Sequence, residues 1–281
     1  MKQADIAMYQ AKAAGRNTLR FFDPSMQALV SARANLEKEL SQGLKENQFV
    51  MYYQSQVDKT GCIKGVEALL RWRHPLRGLV GPGEFIPLAE ETGLILPLGK
   101  LVLETACAQL VSWADHAETT KLIIAVNVSV RQFRQVDFVE QVVDALNRFG
   151  ANPSNLKLEL TESLFVTDIK DIVNKMRALK KLGVQFSLDD FGTGYSSLYH
   201  LKQLPLDQLK IDQSFVRDIL IDANDAVIAK MIIALAESMG LTVIAEGVET
   251  AEQLDFLISL GCEDFQGYLF SRPQPVEVFE A

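Results

Sequence analysis

From position 49 onward, short apolar runs of strand character alternate with longer stretches in which apolar residues recur every three or four positions. The strand-like runs are 49–57, 63–72, 122–128, 156–160, 184–188, 208–211, 241–245 and a short one near Asp264-Phe265. Helical spacing fills the intervals near 83–92, 96–116, 136–149, 168–182, 214–218, 223–239 and 250–260. Such alternation is the pattern of parallel βαβ units. Only a few residues around Lys59-Thr-Gly61 separate the first two runs, too few for a parallel crossover, so that pair is predicted to be antiparallel. The fold class predicted is α/β, a modified (βα)8 TIM-like barrel with the first strand antiparallel.

Ahead of the barrel, residues 4–14 read as a short helix with Gly15 at its end, and 18–22 as a strand. One helix and one strand cannot bury their apolar faces alone, so 1–23 is expected to close a domain whose body lies upstream. Asp23-Pro24 offers an N-cap and a first-turn proline. Met26, Leu29 and Val30, then Leu36, Leu40 and Leu44, follow at helical spacing, with Arg33 interrupting the stripe. Residues 24–35 are therefore expected to form a connecting helix and 36–281 the main domain.

Composition narrows the chemistry. The chain has 281 residues, and 28 Lys+Arg against 36 Asp+Glu give a formal charge of −8. A pI near 5.1 argues against a nucleic-acid polymer as partner, because sequence-independent binding uses a basic surface. No window reaches the ~18 uninterrupted apolar residues of a membrane span, and Met1-Lys-Gln-Ala-Asp5 lacks the basic start and apolar core of a signal peptide. Cys62, Cys107 and Cys262 have no metal-type spacing and read as buried apolar groups, which suits a reducing cytoplasm. In the full-length protein, upstream segments could still provide a membrane anchor.

In such a barrel, chemistry gathers at the carboxyl ends of the strands. Glu67 lies in the second predicted strand, Asn127 ends the third, and Glu159 and Glu162 lie at the end of the fourth. Asp189-Asp190 end the fifth, Lys210 and Asp212 the sixth, Glu246 and Glu249 lie at the seventh, and Gln266 follows the eighth. So many converging carboxylates repel one another unless cations sit among them. Oxygen ligands without His or Cys favour Mg²⁺ or Mn²⁺ over Zn²⁺. One carboxylate of Asp189-Asp190 could bridge two ions, the arrangement that clamps the attacking and leaving oxygens of a phosphoester displacement. Lys210 could orient or deprotonate the attacking water, or balance charge.

Taken singly, each residue has a plainer reading. A strand-end Asp or Glu is usually a helix cap or a solvated loop residue, Lys210 alone suits a barrel-wall ion pair, and Asn127-Val-Ser129 suits an N-cap. It is their co-occurrence that favours a site. His74, His116 and His200 are unclustered and read as structural or surface residues; Trp72 and the scattered Phe residues read as core. Asp190-Phe191-Gly192 has the kinase triplet without its companion motifs, and Gly192-Thr-Gly194 begins a dinucleotide fingerprint whose third glycine position is Ser197. The glycines suit a flexible loop beside the metals.

Glu67-Ala-Leu69, Asn127-Val-Ser129, Glu159-Leu-Thr-Glu162, the run from Asp189 to Leu198, Lys210-Ile-Asp212, Glu246-Gly-Val-Glu249 and the run from Gln266 to Pro273 together resemble the EAL-domain phosphodiesterases that hydrolyse cyclic di-GMP. The opening from Ala4 to Tyr9 and Gly15-Arg-Asn17 is similar to the end of a GGDEF domain, without that domain's signature motif. The resemblance implies six metal ligands, Glu67, Asn127, Glu159, Asp189, Asp190 and Glu246, holding two Mg²⁺ or Mn²⁺ ions with Asp189 bridging. It implies catalytic roles for Lys210, Glu246, Gln266 and Glu67, substrate contacts at Gln54, Arg71, Asp212 and Glu249, and anchoring of the 190–197 loop by Glu162. The product would be linear pGpG, and the partners would be a second copy in a homodimer and upstream GGDEF or sensor domains. The alternative is a receptor that binds cyclic di-GMP without cutting it. One departure stands out: Tyr53-Gln54-Ser55 replaces the family's Tyr-Gln-Pro, which is expected to loosen the backbone near Gln54.

Overall fold

The computed structural model describes residues 24–166, 169–192 and 198–280. The expected helix 4–14, strand 18–22 and cap at Asp23 lie outside these residues. Within them the chain divides into two compact units.

The smaller unit comprises residues up to 50 and 72–94. Helix α1 (Pro24–Lys45) runs without a break through the expected connecting segment 24–35 and on into the main domain. Trp72 is fully buried, stacks on Phe49 at 5.5 Å and meets Phe85 edge-on at 6.0 Å, while its Nε1 donates to Gln48 Oε1 at 2.9 Å. Gly43 lets α1 lie on this indole, since a Cβ there would come within 2.8 Å of Trp72 Nε1. A short strand, β3 (Gly78–Val80), pairs Val80 with Trp72 in a hairpin that the hydrophobic pattern misses because it is only three residues long. Its turn is fastened by His74, whose Nδ1 accepts from the Leu76 and Arg77 N–H groups. The structural reading of His74 is thereby supported. Helix α2 (Pro82–Thr92) completes the unit.

The larger unit holds the barrel. Strands β1 (Phe49–Asp58), β2 (Ile63–His74), β4 (Ile123–Val128), β5 (Leu156–Thr161), β6 (Gln185–Phe191), β7 (Gln208–Ile211), β8 (Thr242–Ala245) and β9 (Asp264–Gln266) follow one another around the sheet, and a β1–β2 pairing closes it. Among these eight strands every neighbour from β2 through β4 to β9 is parallel, whereas β1 is antiparallel to β9 with Gln56 opposite Gln266. The (βα)8 barrel with an antiparallel first strand is therefore the observed fold.

Both faces of the parallel strands are buried, as in β5, where Leu156, Leu158 and Leu160 face the helices and Glu159 the interior. Helices α3 (Ile95–Ala114), α5 (Phe138–Phe149), α6 (Ile169–Lys180), α9 (Ala223–Met239) and α10 (Ala251–Ser259) match predicted segments; the short α4 (Val130–Phe133), α7 (Leu198–Leu201) and α11 (Val276–Phe279) were not anticipated. Ser129 does cap α4, reciprocally with Gln132. By length and mean hydropathy α3 could cross a membrane, yet eight of its residues are buried, including Leu98, Ala106 and Trp113. Cys107 and Cys262 are buried as expected, but Cys62 is exposed, because it sits in the tight turn joining β1 to β2.

Candidate active site

Lys210, on β7, is the centre of the barrel mouth and only 1% exposed. Its Nζ lies 2.6 Å from Glu246 Oε1, 2.7 Å from Glu159 Oε2, 3.0 Å from Asp189 Oδ1 and 3.9 Å from Glu67 Oε2. Burial by itself would depress the Lys210 pKa, but the charges of Asp189, Glu159, Glu246 and Glu67 outweigh it and hold the ammonium protonated. Burial and crowding by like charges raise Glu159 to about 8 and push Glu246 well above the ordinary carboxylate range. One ammonium cannot neutralise four carboxylates, and Glu159 Oε1 is buried with no hydrogen-bond partner among the described residues. An all-oxygen donor set short of positive charge fits hard divalent cations.

Asp189 and Asp190 reach this site together only because the strand is irregular. Successive residues of a regular strand point to opposite faces. Here the β6–β7 register shifts between Leu188 and Phe191, and Asp190 adopts a left-handed φ of 53°. As a result, ligand atoms of Asp189, Asp190 and Glu246 lie within 4.8 Å of one another. Burial and the neighbouring Asp189 charge lift the Asp190 carboxyl to about 6, with Asp212 adding to the shift.

A layer of amides orients these acids. Asn127 Nδ2 donates to Glu67 Oε1 at 2.6 Å and Gln266 Nε2 to Glu67 Oε2 at 2.6 Å. Gln266 Nε2 also reaches Gln54 Oε1 at 3.1 Å, while its Oε1 accepts from Gln56 Nε2 at 3.0 Å. Gln56 was not anticipated. Its signal was present, since it follows Gln54 by two residues and so shares its face of β1. Gln54 Nε2 donates to Ser271 O, and the Ser55 N–H, which a proline would lack, donates to Ser271 Oγ at 3.1 Å. Ser55 therefore fastens this segment, contrary to the expected loosening.

A cavity of about 220 Å³ opens over Glu67, Asp189, Glu246 and Gln266. Of the expected substrate contacts, Gln54 and Glu249 line it, with Tyr268 and Gln213, which the sequence did not single out. Arg71 is half-buried beside the Tyr52 ring, and Asp212 caps the short helix α8 (Gln213–Arg217) through the Ser214 N–H; neither lines this cavity. Both carboxylate oxygens of Glu162 are buried without a partner among the described residues, and residues 193–197 of its expected loop lie outside them.

A family model described as the EAL domain matches residues 37–273. The chain belongs to the EAL-domain family. This EAL domain is 46% identical over 280 residues to the bifunctional diguanylate cyclase/cyclic di-GMP phosphodiesterase MucR of Pseudomonas aeruginosa, a match covering 99% of the chain and 40% of MucR. The cyclic di-GMP phosphodiesterase NbdA of the same organism is 43% identical over 281 residues, all of this chain and 36% of NbdA. The chain thus spans only 36–40% of these relatives. A solved structure of the MucR phosphodiesterase in complex with c-di-GMP is similar to this EAL domain with a TM-score of 0.84 at 46% identity, covering 87% of this chain and 99% of that one.

Proposed function

We propose that this EAL domain hydrolyses one phosphodiester bond of cyclic di-GMP to give linear pGpG, lowering the level of the bacterial messenger. The observation that carries this reading is the convergence of Glu67, Glu159, Asp189 and Glu246 on Lys210, each from in or just after a different strand and each within a family motif. Glu67, Asn127, Glu159, Asp189, Asp190 and Glu246 would hold two Mg²⁺ or Mn²⁺ ions, which supply Lewis-acid stabilisation of charge gathering on the phosphoryl oxygens. Lys210 orients the attacking water, with Glu246 and Glu67 beside it to take its proton. The water oxygen bonds to phosphorus, one P–O ester bond breaks, and the departing alkoxide gains a proton. Gln266 holds Glu67 in place; Gln54 and Glu249 contact the dinucleotide within the cavity; Arg71 and Asp212 meet the parts of it that extend beyond the cavity; and Glu162 anchors the 190–197 loop.

Residues 1–23 are read as the end of a GGDEF domain and 24–35 as the connection into the EAL domain of a longer, cytoplasmic signalling protein. Homodimerisation is supported by exposed apolar side chains in and around α7 and α9, among them Leu198, Tyr199, Ile221, Val227 and Met231. Light scattering should give a dimer that Met231→Glu converts to monomer; a monomeric parent protein refutes the dimer.

Incubation with cyclic di-GMP and Mg²⁺ or Mn²⁺, followed by chromatography, tests the activity. Divalent-dependent pGpG is expected. Tight binding without cleavage would replace the enzyme by a receptor, and neither binding nor cleavage would overturn the ligand assignment.

A further inference from the structure

Behind the barrel wall, on the opposite side of β4 and β5 from Lys210, lies a cavity of about 580 Å³ between α3 and α5. Its floor includes Val126, Val128 and Leu158, the residues that alternate with Asn127 and Glu159 along their strands. Leu103, Phe138 and Ala145 continue the apolar lining. Ala145 and the two valines are the small side chains that border the space.

One end of this cavity is polar. Gln132 is 8% exposed, and its Oε1 is taken by the Ser129 N–H and hydroxyl. Its Nε2 packs so closely over Gly99 that a Cβ there would lie 1.5 Å away, and no acceptor for Nε2 is found among the described residues. Beside it, Lys100 is exposed and forms no ion pair among the described residues. On the opposite wall, Arg148 is paired with Glu104 at 3.0 Å, and Asp144 stands on α5 one turn before Arg148. The donor-rich end is thus the one beside Gly99, where the Lys100 ammonium and the Gln132 amide N–H border the cavity together.

We propose that this cavity is a second ligand site, for a compact apolar molecule bearing one carboxylate or sulfonate group. The apolar body lies against Val126, Val128 and Leu158, and the anionic group meets Lys100 and Gln132 Nε2. The volume falls within the range of small-molecule sites, and an apolar floor under a polar rim that includes Gln141 and Asn147 suits a molecule with one apolar and one polar end. A molecule bound there contacts the reverse face of the strand that presents Asn127.

The probe is 8-anilinonaphthalene-1-sulfonate, an aromatic body with one anionic group. Fluorescence titration of the folded protein should saturate at one site per chain. Lys100→Glu, on the exposed rim, should weaken the sulfonate at least about tenfold yet spare the uncharged analogue N-phenyl-1-naphthylamine. Ala145→Trp, checked for native circular dichroism, should weaken both probes at least about tenfold by filling the space. Unsaturable fluorescence, an affinity unchanged by Lys100→Glu, or displacement of the probe by cyclic di-GMP would overturn the proposal.

Discussion

Asp190 shows how one residue's backbone sets the chemistry. Its left-handed φ, beside the β6 irregularity, brings its carboxylate to the same site as Asp189. Asparagine tolerates that conformation, whereas a β-branched residue resists it. Asp190→Asn, which removes a crowded carboxylate, is therefore expected to be at least as stable in urea as the parent while losing turnover. Asp190→Val should lose about 1–2 kcal/mol as well; equal stability of the two variants would remove the strain argument. A second expectation concerns the thiols. Burial pushes Cys107 and Cys262 up to about 12, while Cys62 is exposed, so iodoacetamide should label Cys62 alone in the native protein, as peptide mass mapping would show. The spacing of the sequence motifs brought Asp190 into view as a ligand but not the bulge that aims it, because a bulge depends on the neighbouring strand's register. Buried Gln56 was legible in principle, two positions from Gln54, yet glutamine in a strand carries no chemical signal until its partner Gln266 is in place.

Among the elements, eight strands and the long helices were legible because their apolar periodicity spans enough residues to be unambiguous. The short pieces β3, α4, α7 and α11 were not, since three or four residues cannot establish a period. The first strand's direction followed from a turn too short to cross the sheet. Its attachment did not, for Ser55 and Ser271 are far apart in sequence and meet only when β1 lies beside the segment after β9. Ser271→Ala should cost about 1 kcal/mol through the acceptor lost to the Ser55 N–H and leave the KM for cyclic di-GMP nearly unchanged, because Gln54 Nε2 donates to the Ser271 backbone carbonyl, which alanine keeps. Unchanged stability would show that this tie is idle. Gly267 makes a firmer contact: a Cβ there would sit 2.0 Å from Val248 O, so the segments after β8 and β9 approach through their backbones.

For the molecule as a whole, the barrel mouth concentrates more negative charge than Lys210 offsets, so folding works against repulsion that a bound cation relieves. Millimolar Mg²⁺ or Mn²⁺ should raise the melting temperature and chelator should reverse the rise; a cation that binds a hundredfold above its Kd adds about 2.7 kcal/mol. A melting temperature indifferent to divalent cations would count against the ligand set. The most direct test of the central claim is the turnover of cyclic di-GMP by Asp189→Asn, whose amide oxygen can still accept from Lys210 and from the Asp190 N–H. If the carboxylate ring around Lys210 is the hydrolytic centre, this variant keeps its fold while pGpG formation falls at least ~10²-fold. Turnover at the parent rate, with the fold intact, would place the chemistry elsewhere.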